Sequence, residues 1–179
     1  SEYAISGVHN SNTSPNADFG TRTVNGDVLV RTYYLRDTTN IATVSAQTLT
    51  LDGDGSFQIN RVGRIAANGS WVSTCTSTAT SISAPCAAPG AGYSIAVEVK
   101  FVAVSVGAKA ATLRFGHNGA GGTSELALSG VGQFNPTAVW SSAPASLVVP
   151  TAAALSYGTR TTGTTLDKVL YLRNTGTNG

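Results

Sequence analysis

Few side chains in this sequence could do chemistry, and their spacing settles most of what each can do. Cys75 and Cys86 stand close together in a polar Ser/Thr/Ala stretch. That spacing suits a disulfide, which would stabilise the fold by roughly 2–3 kcal/mol through chain entropy. Two free thiols are the alternative, and the low charge and Thr/Ser-rich composition favour the bond. No histidine lies near either cysteine, and two thiolates alone make a poor zinc site. Asp52, Asp54 and Ser56 follow the 1-3-5 spacing of a calcium loop. The glutamate that should close such a loop at position 12 is Gly63, so the stretch reads as a turn.

His9 and His117 are isolated in Asn/Gly/Ser surroundings, with no Ser, Cys or carboxylate at a telling spacing, and read as exposed loop residues. Trp71 reads as core or as a lid beside the cysteine loop. Trp140 lies among prolines and either caps a joint between domains or packs on a neighbouring chain. Asn12-Thr13-Ser14 and Asn68-Gly69-Ser70 match the glycosylation pattern, as chance allows in so Asn/Ser/Thr-rich a chain. With no nucleophile motif and no phosphate-binding loop, no enzyme activity is expected, and no cofactor or metal.

The elements that must position these residues are short strands. The chain has 179 residues, enough for one ordinary domain with flanking pieces. Apolar residues make up 41%, so a core can form, while only 11% are charged. Net charge is +2 with no Lys/Arg cluster, which argues against nucleic acid as a partner. No apolar run is long enough for a membrane-spanning helix, so no membrane insertion is expected. Methionine is absent even at position 1. The chain is therefore expected to be processed, or a fragment of something longer.

Alternating apolar residues predict strands over 2–8, 28–35, 44–51, 56–60 and 110–115. The clearest is 93–101, with Tyr93, Ile95, Val97, Val99 and Phe101 on one face and Ser94, Glu98 and Lys100 toward water. Asp52-Gly53-Asp54-Gly55 and Pro89-Gly90-Ala91-Gly92 are turns, and 61–70 reads as loop. No segment carries a capped 3.6-residue period, so essentially no helix is expected. Many short strands with closely spaced turns predict an all-β, antiparallel β-sandwich.

Internal echoes suggest a tandem repeat with incomplete flanking units. Glu2 to Val8 (EYAISGV) returns as Glu125 to Val131 (ELALSGV). Phe19-Gly20-Thr21-Arg22-Thr23 returns as Tyr157-Gly158-Thr159-Arg160-Thr161, and Tyr34-Leu35-Arg36-Asp37-Thr38 as Tyr171-Leu172-Arg173-Asn174-Thr175. These echoes are a whole domain apart, too far for a solenoid rung. The expected organisation is the last strand of a preceding repeat, or a donor strand, over 1–8. A complete sandwich follows over 9–133, then a Pro-rich linker over 134–150 and the opening strands of a following repeat over 151–179. Trp140, Glu2, Tyr3, Ile5, Leu170 and Leu172 are the expected interdomain or intersubunit contacts.

The order of motifs resembles a family of bacterial extracellular repeats, the immunoglobulin-like choice-of-anchor D domains, which are relatives of the ASH fold. The matching residues are Asp18-Phe19-Gly20, Leu35-Arg36-Asp37-Thr38, Gly53 to Ile59, the two cysteines, Ala88-Pro89-Gly90, Val97 to Phe101, Gly107 to Leu113 and Leu126 to Gly132. In that family the second cysteine often follows the Pro-Gly turn. Here Tyr93 stands at that place, so the bridge is expected to close a local loop rather than to link two sheets. The resemblance implies an immunoglobulin-like fold and a structural or adhesive role outside the cell, and supplies no catalytic residues. The expected function is a segment of an extracellular fibre, sheath or surface protein, partnered by neighbouring repeats or other copies of the chain and assembled by strand complementation where its edges are open. The alternatives are a module binding a glycan or surface protein through its loops, and a phage virion decoration or tail protein.

Overall fold

A computed structural model describes residues 3–38, 44–88, 94–134, 138–141 and 158–174, with only the backbone at 138–141 and 173–174. The chain divides into two compact units, Ser1–Gln133 and Phe134–Gly179. No helix occurs among the described residues.

Unit 1 is an immunoglobulin-like β-sandwich. Its strands are β1 (Tyr3–Ser6), β2 (Asp18–Thr23), β3 (Leu29–Asp37), β4 (Ser45–Gly53), β5 (Phe57–Ile65), β6 (Trp71–Thr74), β7 (Cys86–Ala87), β8 (Ser94–Phe101), β9 (Gly107–His117) and β10 (Thr123–Gln133). One sheet runs β1-β3-β8-β5-β6 and the other β2-β10-β9-β4-β7. All neighbours are antiparallel except β2 and β10, which run parallel. That exception follows from the chain's opening: β1 edges the first sheet, and the chain then crosses to edge the second as β2. Gly7 starts the crossing. A Cβ there would stand 2.9 Å from the Pro15 Cα, so only glycine lets the connector fold back this tightly.

The facing sheets bury one core. Phe19, Phe57 and Phe101 meet at its centre, with ring centroids 5.4 Å apart for Phe19–Phe57 and 4.7 Å for Phe57–Phe101. Tyr33, Leu35, Leu49, Val97, Leu113, Phe115 and Leu128 complete it, all buried. Strand β8 lies between β3 and β5, as its clean alternation predicts. Ser94, expected to face water, is instead buried. The connector after β1 covers this end of the sheet's outer face: the His9 ring lies against Tyr34 at 5.5 Å, and the Asn10 side-chain amide donates to the Ala67 carbonyl at 2.8 Å. Tyr34 is on β3 and Ala67 is in the β5–β6 turn, so the connector passes over β8. His9 is therefore half-buried, not an exposed loop residue.

Residues 61–65, read as loop, continue β5. A bulge between Ile59 and Arg61 inserts one residue and shifts the inward series from Phe57 and Ile59 to Val62. Period-2 reading stops at such a phase change, although the strand does not. Strand β1 also departs from expectation. It pairs with β3 in unit 1, Tyr3 opposite Asp37 through Ser6 opposite Tyr34, so it is an edge of this sandwich and not the last strand of another. Its echo Glu125–Val131 lies in β10, in the other sheet. The repeated phrase is one alternating pattern used at two unrelated places.

Unit 2 shows a two-stranded ladder, β11 (Ala138–Ser141) with β12 (Tyr171–Asn174). A strand thus lies inside 134–150, which the prolines mark as linker.

Candidate functional site: the disulfide edge, the His117 latch and the β12 edge

Cys75 and Cys86 form a disulfide. Cys75 follows β6 at the edge of the first sheet, and its N–H donates to the Val62 carbonyl of β5 at 2.8 Å. Cys86 opens β7 at the edge of the second sheet. The bond therefore closes a loop that is local in sequence and also joins the edges of the two sheets, contrary to the purely local link expected. The enclosed loop fills the same open side. Leu51 N–H of β4 donates to Thr80 O at 2.8 Å, and Ile59 N–H of β5 to Ala79 O at 2.6 Å. Backbone groups of both sheets are thus satisfied by one loop.

At the C-terminal end of β9, His117 is buried at 6% exposure, against the exposed position expected. Its parity is visible in the sequence: it continues the inward series Leu113, Phe115. The Gly119 N–H donates to Nδ1 at 3.2 Å, so Nδ1 carries a lone pair and the ring proton sits on Nε2. Nε2 donates to the Ser124 Oγ at 3.0 Å, and the Ser124 hydroxyl donates to the Tyr3 carbonyl at 3.3 Å. The Tyr3 ring stands edge-on to the imidazole at 4.8 Å. Burial lowers the His117 pKa. A serine nucleophile needs the opposite tautomer, with a lone pair on Nε2 to take its proton. The arrangement instead ties β1 to β9 and β10 as a neutral latch.

The acidic turn is occupied by cations. Arg114 on β9 bridges Asp52 on β4 at 2.9 Å and Glu125 on β10 at 2.7 Å. Asp54 accepts the Ser56 N–H at 2.8 Å and faces Lys109 Nζ at 3.5 Å. The Ser56 hydrogen bonds first, then the Lys109 charge, hold its carboxyl below the usual range against the opposing effect of burial. Trp71 is neither core nor lid. It is half-buried on β6 at the outer face, with the Arg61 guanidinium 3.7 Å from its ring centre and Arg61 paired to Glu98 at 2.6 Å. That stacking takes up a ring face a sugar would need.

The expected contact residues separate into two groups. Tyr3 and Ile5 pack against the core of unit 1 from β1. Glu2 lies outside the described residues. In unit 2, Trp140 stands opposite Leu172, Leu170 is 38% exposed and Leu172 is 65% exposed.

Unit 2 repeats the opening geometry of unit 1. Ala138, Val139, Trp140 and Ser141 pair with Asn174, Arg173, Leu172 and Tyr171 in the order in which Tyr3, Ala4, Ile5 and Ser6 pair with Asp37, Arg36, Leu35 and Tyr34. Gly158 has φ +65, the value of its counterpart Gly20. One turn later, Thr164 N–H donates to Thr161 O at 3.1 Å, as Gly26 N–H donates to Thr23 O at 3.0 Å. Gly163 and Asn25, inside those turns, both have positive φ.

No protein-family model matches the chain, and no curated protein does. Solved structures of similar fold include a family 123 glycoside hydrolase from Clostridium perfringens, at 9% identity and a TM-score of 0.43 over 74% of this chain. The chain spans 27% of that hydrolase. The ASH/PapD-like domain 7 of human CEP192 matches at 12% identity and TM-score 0.36, covering 73% of this chain and 83% of that one. The CooA pilin subunit of enterotoxigenic Escherichia coli matches at 10% identity and TM-score 0.32, covering 75% and 99%. All are distant, and the sandwich assignment stands on the strand order above.

Proposed function

We propose that this chain is a structural segment of an extracellular assembly built of immunoglobulin-like sandwiches in tandem. The observation that carries the reading is the matched register of β1:β3 and β11:β12, together with the matched positive-φ glycines Gly20 and Gly158. A ladder alone recurs by chance. A ladder in the same register, with the same turn between its two strands, is expected of a repeated domain.

Two features support a role that is structural and outside the cell. A disulfide fits an oxidising compartment. The one Ser–His pair described here has its protons placed for a latch and not for attack. On this reading the chain is not an enzyme, and its partners are neighbouring sandwiches.

Amide hydrogen exchange on the full chain, with electron microscopy of native material, tests the proposal. Slow exchange across both 138–141 and 171–174, in particles with a regular spacing of one sandwich length, is the expected result. Exchange at random-coil rates across β11 and β12, or native material that is a single isolated sandwich, would overturn it.

A further inference from the structure

Within unit 1, strand β3 is paired on both sides over only part of its length. Strand β8 lies along residues 29–35 on one side. On the other, β1 pairs with residues 34–37 and stops, because the chain turns away at Gly7. Among the described residues nothing pairs with 29–33 on that side, and alternate N–H and C=O groups there face outward without a protein partner. This open stretch forms one wall of a groove of about 250 Å³, lined by Gly7, Asn16 and residues 30–34.

Arg31 stands in this groove, half-buried. It shares the core-side row of β3 with Tyr33 and Leu35, and its guanidinium lies 5.4 Å from the centre of the Phe19 ring. Nη2 donates to the Asp18 carbonyl at 2.8 Å, while Nε is shielded from water and has no acceptor. Arg61, Lys109 and Arg114 each meet a carboxylate, whereas none meets Arg31 among the described residues. The Asp18 carboxylate is turned to the Gly20 N–H, which it accepts at 2.9 Å. A half-buried guanidinium has five N–H donors to satisfy, and an unpaired charge in such a place is costly.

We propose that the β3 edge over 29–33 is a docking groove for an extended segment of a partner protein that carries a carboxylate side chain opposite Arg31. The segment runs antiparallel to β3, in line with β1, and its main chain continues the ladder where β1 leaves off. Directly opposed residues of an antiparallel pair share a face. The residue opposite Arg31 therefore points to the core side, where the guanidinium is, and an aspartate or glutamate there makes a charge-assisted pair. A one-residue slip would turn that carboxylate to the outer face, so Arg31 fixes the register. It also selects against a second copy of this chain, because two β3 edges paired antiparallel would bring two guanidiniums into one groove. The inference is independent of the tandem reading of unit 2.

The probe is a labelled, end-capped peptide, Thr-Val-Thr-Glu-Thr-Val-Thr, whose only carboxylate is central, added to the intact, disulfide-bonded 179-residue protein. Saturable binding by fluorescence anisotropy is expected, with amide exchange at residues 29–33 slowed tenfold or more and exchange on β6 unchanged. The same peptide with a central glutamine should bind at least tenfold more weakly, and with a central lysine not at all. Arg31→Gln should abolish the preference for glutamate over glutamine, and Arg31→Glu should reverse the order and favour lysine. Equal binding of the three peptides to the parent protein, or no binding, refutes the groove, and this comparison needs no variant to fold. If end-capped glutamate alone displaces the peptide at equal concentration, a small carboxylate is the ligand and strand docking falls. Protection of 29–33 that grows with protein concentration alone, without peptide, would make a second copy the occupant and also overturn the proposal.

Discussion

His117 is held neutral inside unit 1, so unit 1 should lose stability on mild acidification. Nδ1 already accepts the Gly119 N–H, and Nε2 already donates to Ser124. A second ring proton would have to sit on Nδ1, pointing at another donor. Burial also opposes the charge and depresses the folded pKa below the ordinary 6.5. The unfolded chain takes up its proton near that ordinary value, and the folded chain only at lower pH. Protons therefore favour unfolding across this window. The stability due to neutral His117 is complete above the unfolded value and is lost as pH falls from there toward the folded value. A single group can contribute at most about 1.4 kcal/mol per pH unit. Urea unfolding at pH 7.5, 6.5 and 5.5, followed by tryptophan fluorescence, measures the slope. His117→Gln keeps side-chain hydrogen bonding without the titration. It should be less stable than the parent at pH 7.5 and show a flatter pH dependence between 6.5 and 5.5. Equal slopes in the two proteins would show that His117 does not couple to folding. Exchange at Tyr3–Ser6 should quicken first on acidification, because Ser124 links the imidazole to the Tyr3 carbonyl.

Three further outcomes can be measured on the same unfolding curves. Cys75→Ser with Cys86→Ser should cost about 3 kcal/mol, roughly the loop-closure entropy of so short a loop. Because the bond joins both sheet edges, midpoints from calorimetry and from fluorescence should fall together, by about 10 °C; a change confined to exchange within residues 76–85 would contradict the cross-sheet role. Leu35→Ala should cost about 2–5 kcal/mol, while the matched Leu172→Ala should cost less than about 0.5, because one side chain is buried and the other exposed. Comparable losses would mean that Leu172 is covered in solution. Gly53→Ala should destabilise by about 2 kcal/mol or more, since φ is +136 and the added Cβ would lie 2.6 Å from the Ala110 carbonyl oxygen; a neutral result would show that the β4 end relaxes.

What could be read in advance depended on whether a property is local. Strands β3, β4, β8 and β9 announce themselves because one face of each meets the core, and burial of that face imposes period 2. Strand β5 was cut short because the bulge at Asn60 resets the period. The pairing of Cys75 with Cys86 followed from spacing, but not the sheets it would join, because β6 and β7 are too short to carry a pattern. His117 was misread from its neighbours Asn118 and Gly119, although its parity with Leu113 and Phe115 placed it inward. Its partners Ser124 and Tyr3 come from β10 and β1, and no spacing rule relates them.

The two kinds of echo differ in physical content. EYAISGV and ELALSGV share an alternation and a closing Ser-Gly-Val, which a half-buried strand can adopt anywhere. They lie in different sheets with different partners. The Phe19 and Tyr157 echo includes Gly20 and Gly158, which sit at φ +65, where a side chain is strained. The following turns also share a hydrogen bond and a positive-φ residue at the same position. A repeated alternation says that two segments are strands. A repeated backbone exception beside a repeated ladder register is the more specific likeness. The tandem reading of unit 2 therefore rests on Gly158, Gly163 and the β11:β12 register. Replacing Gly158 by valine should disrupt the 158–164 turn and with it the β11–β12 protection, whereas a flexible tail would exchange identically with either residue.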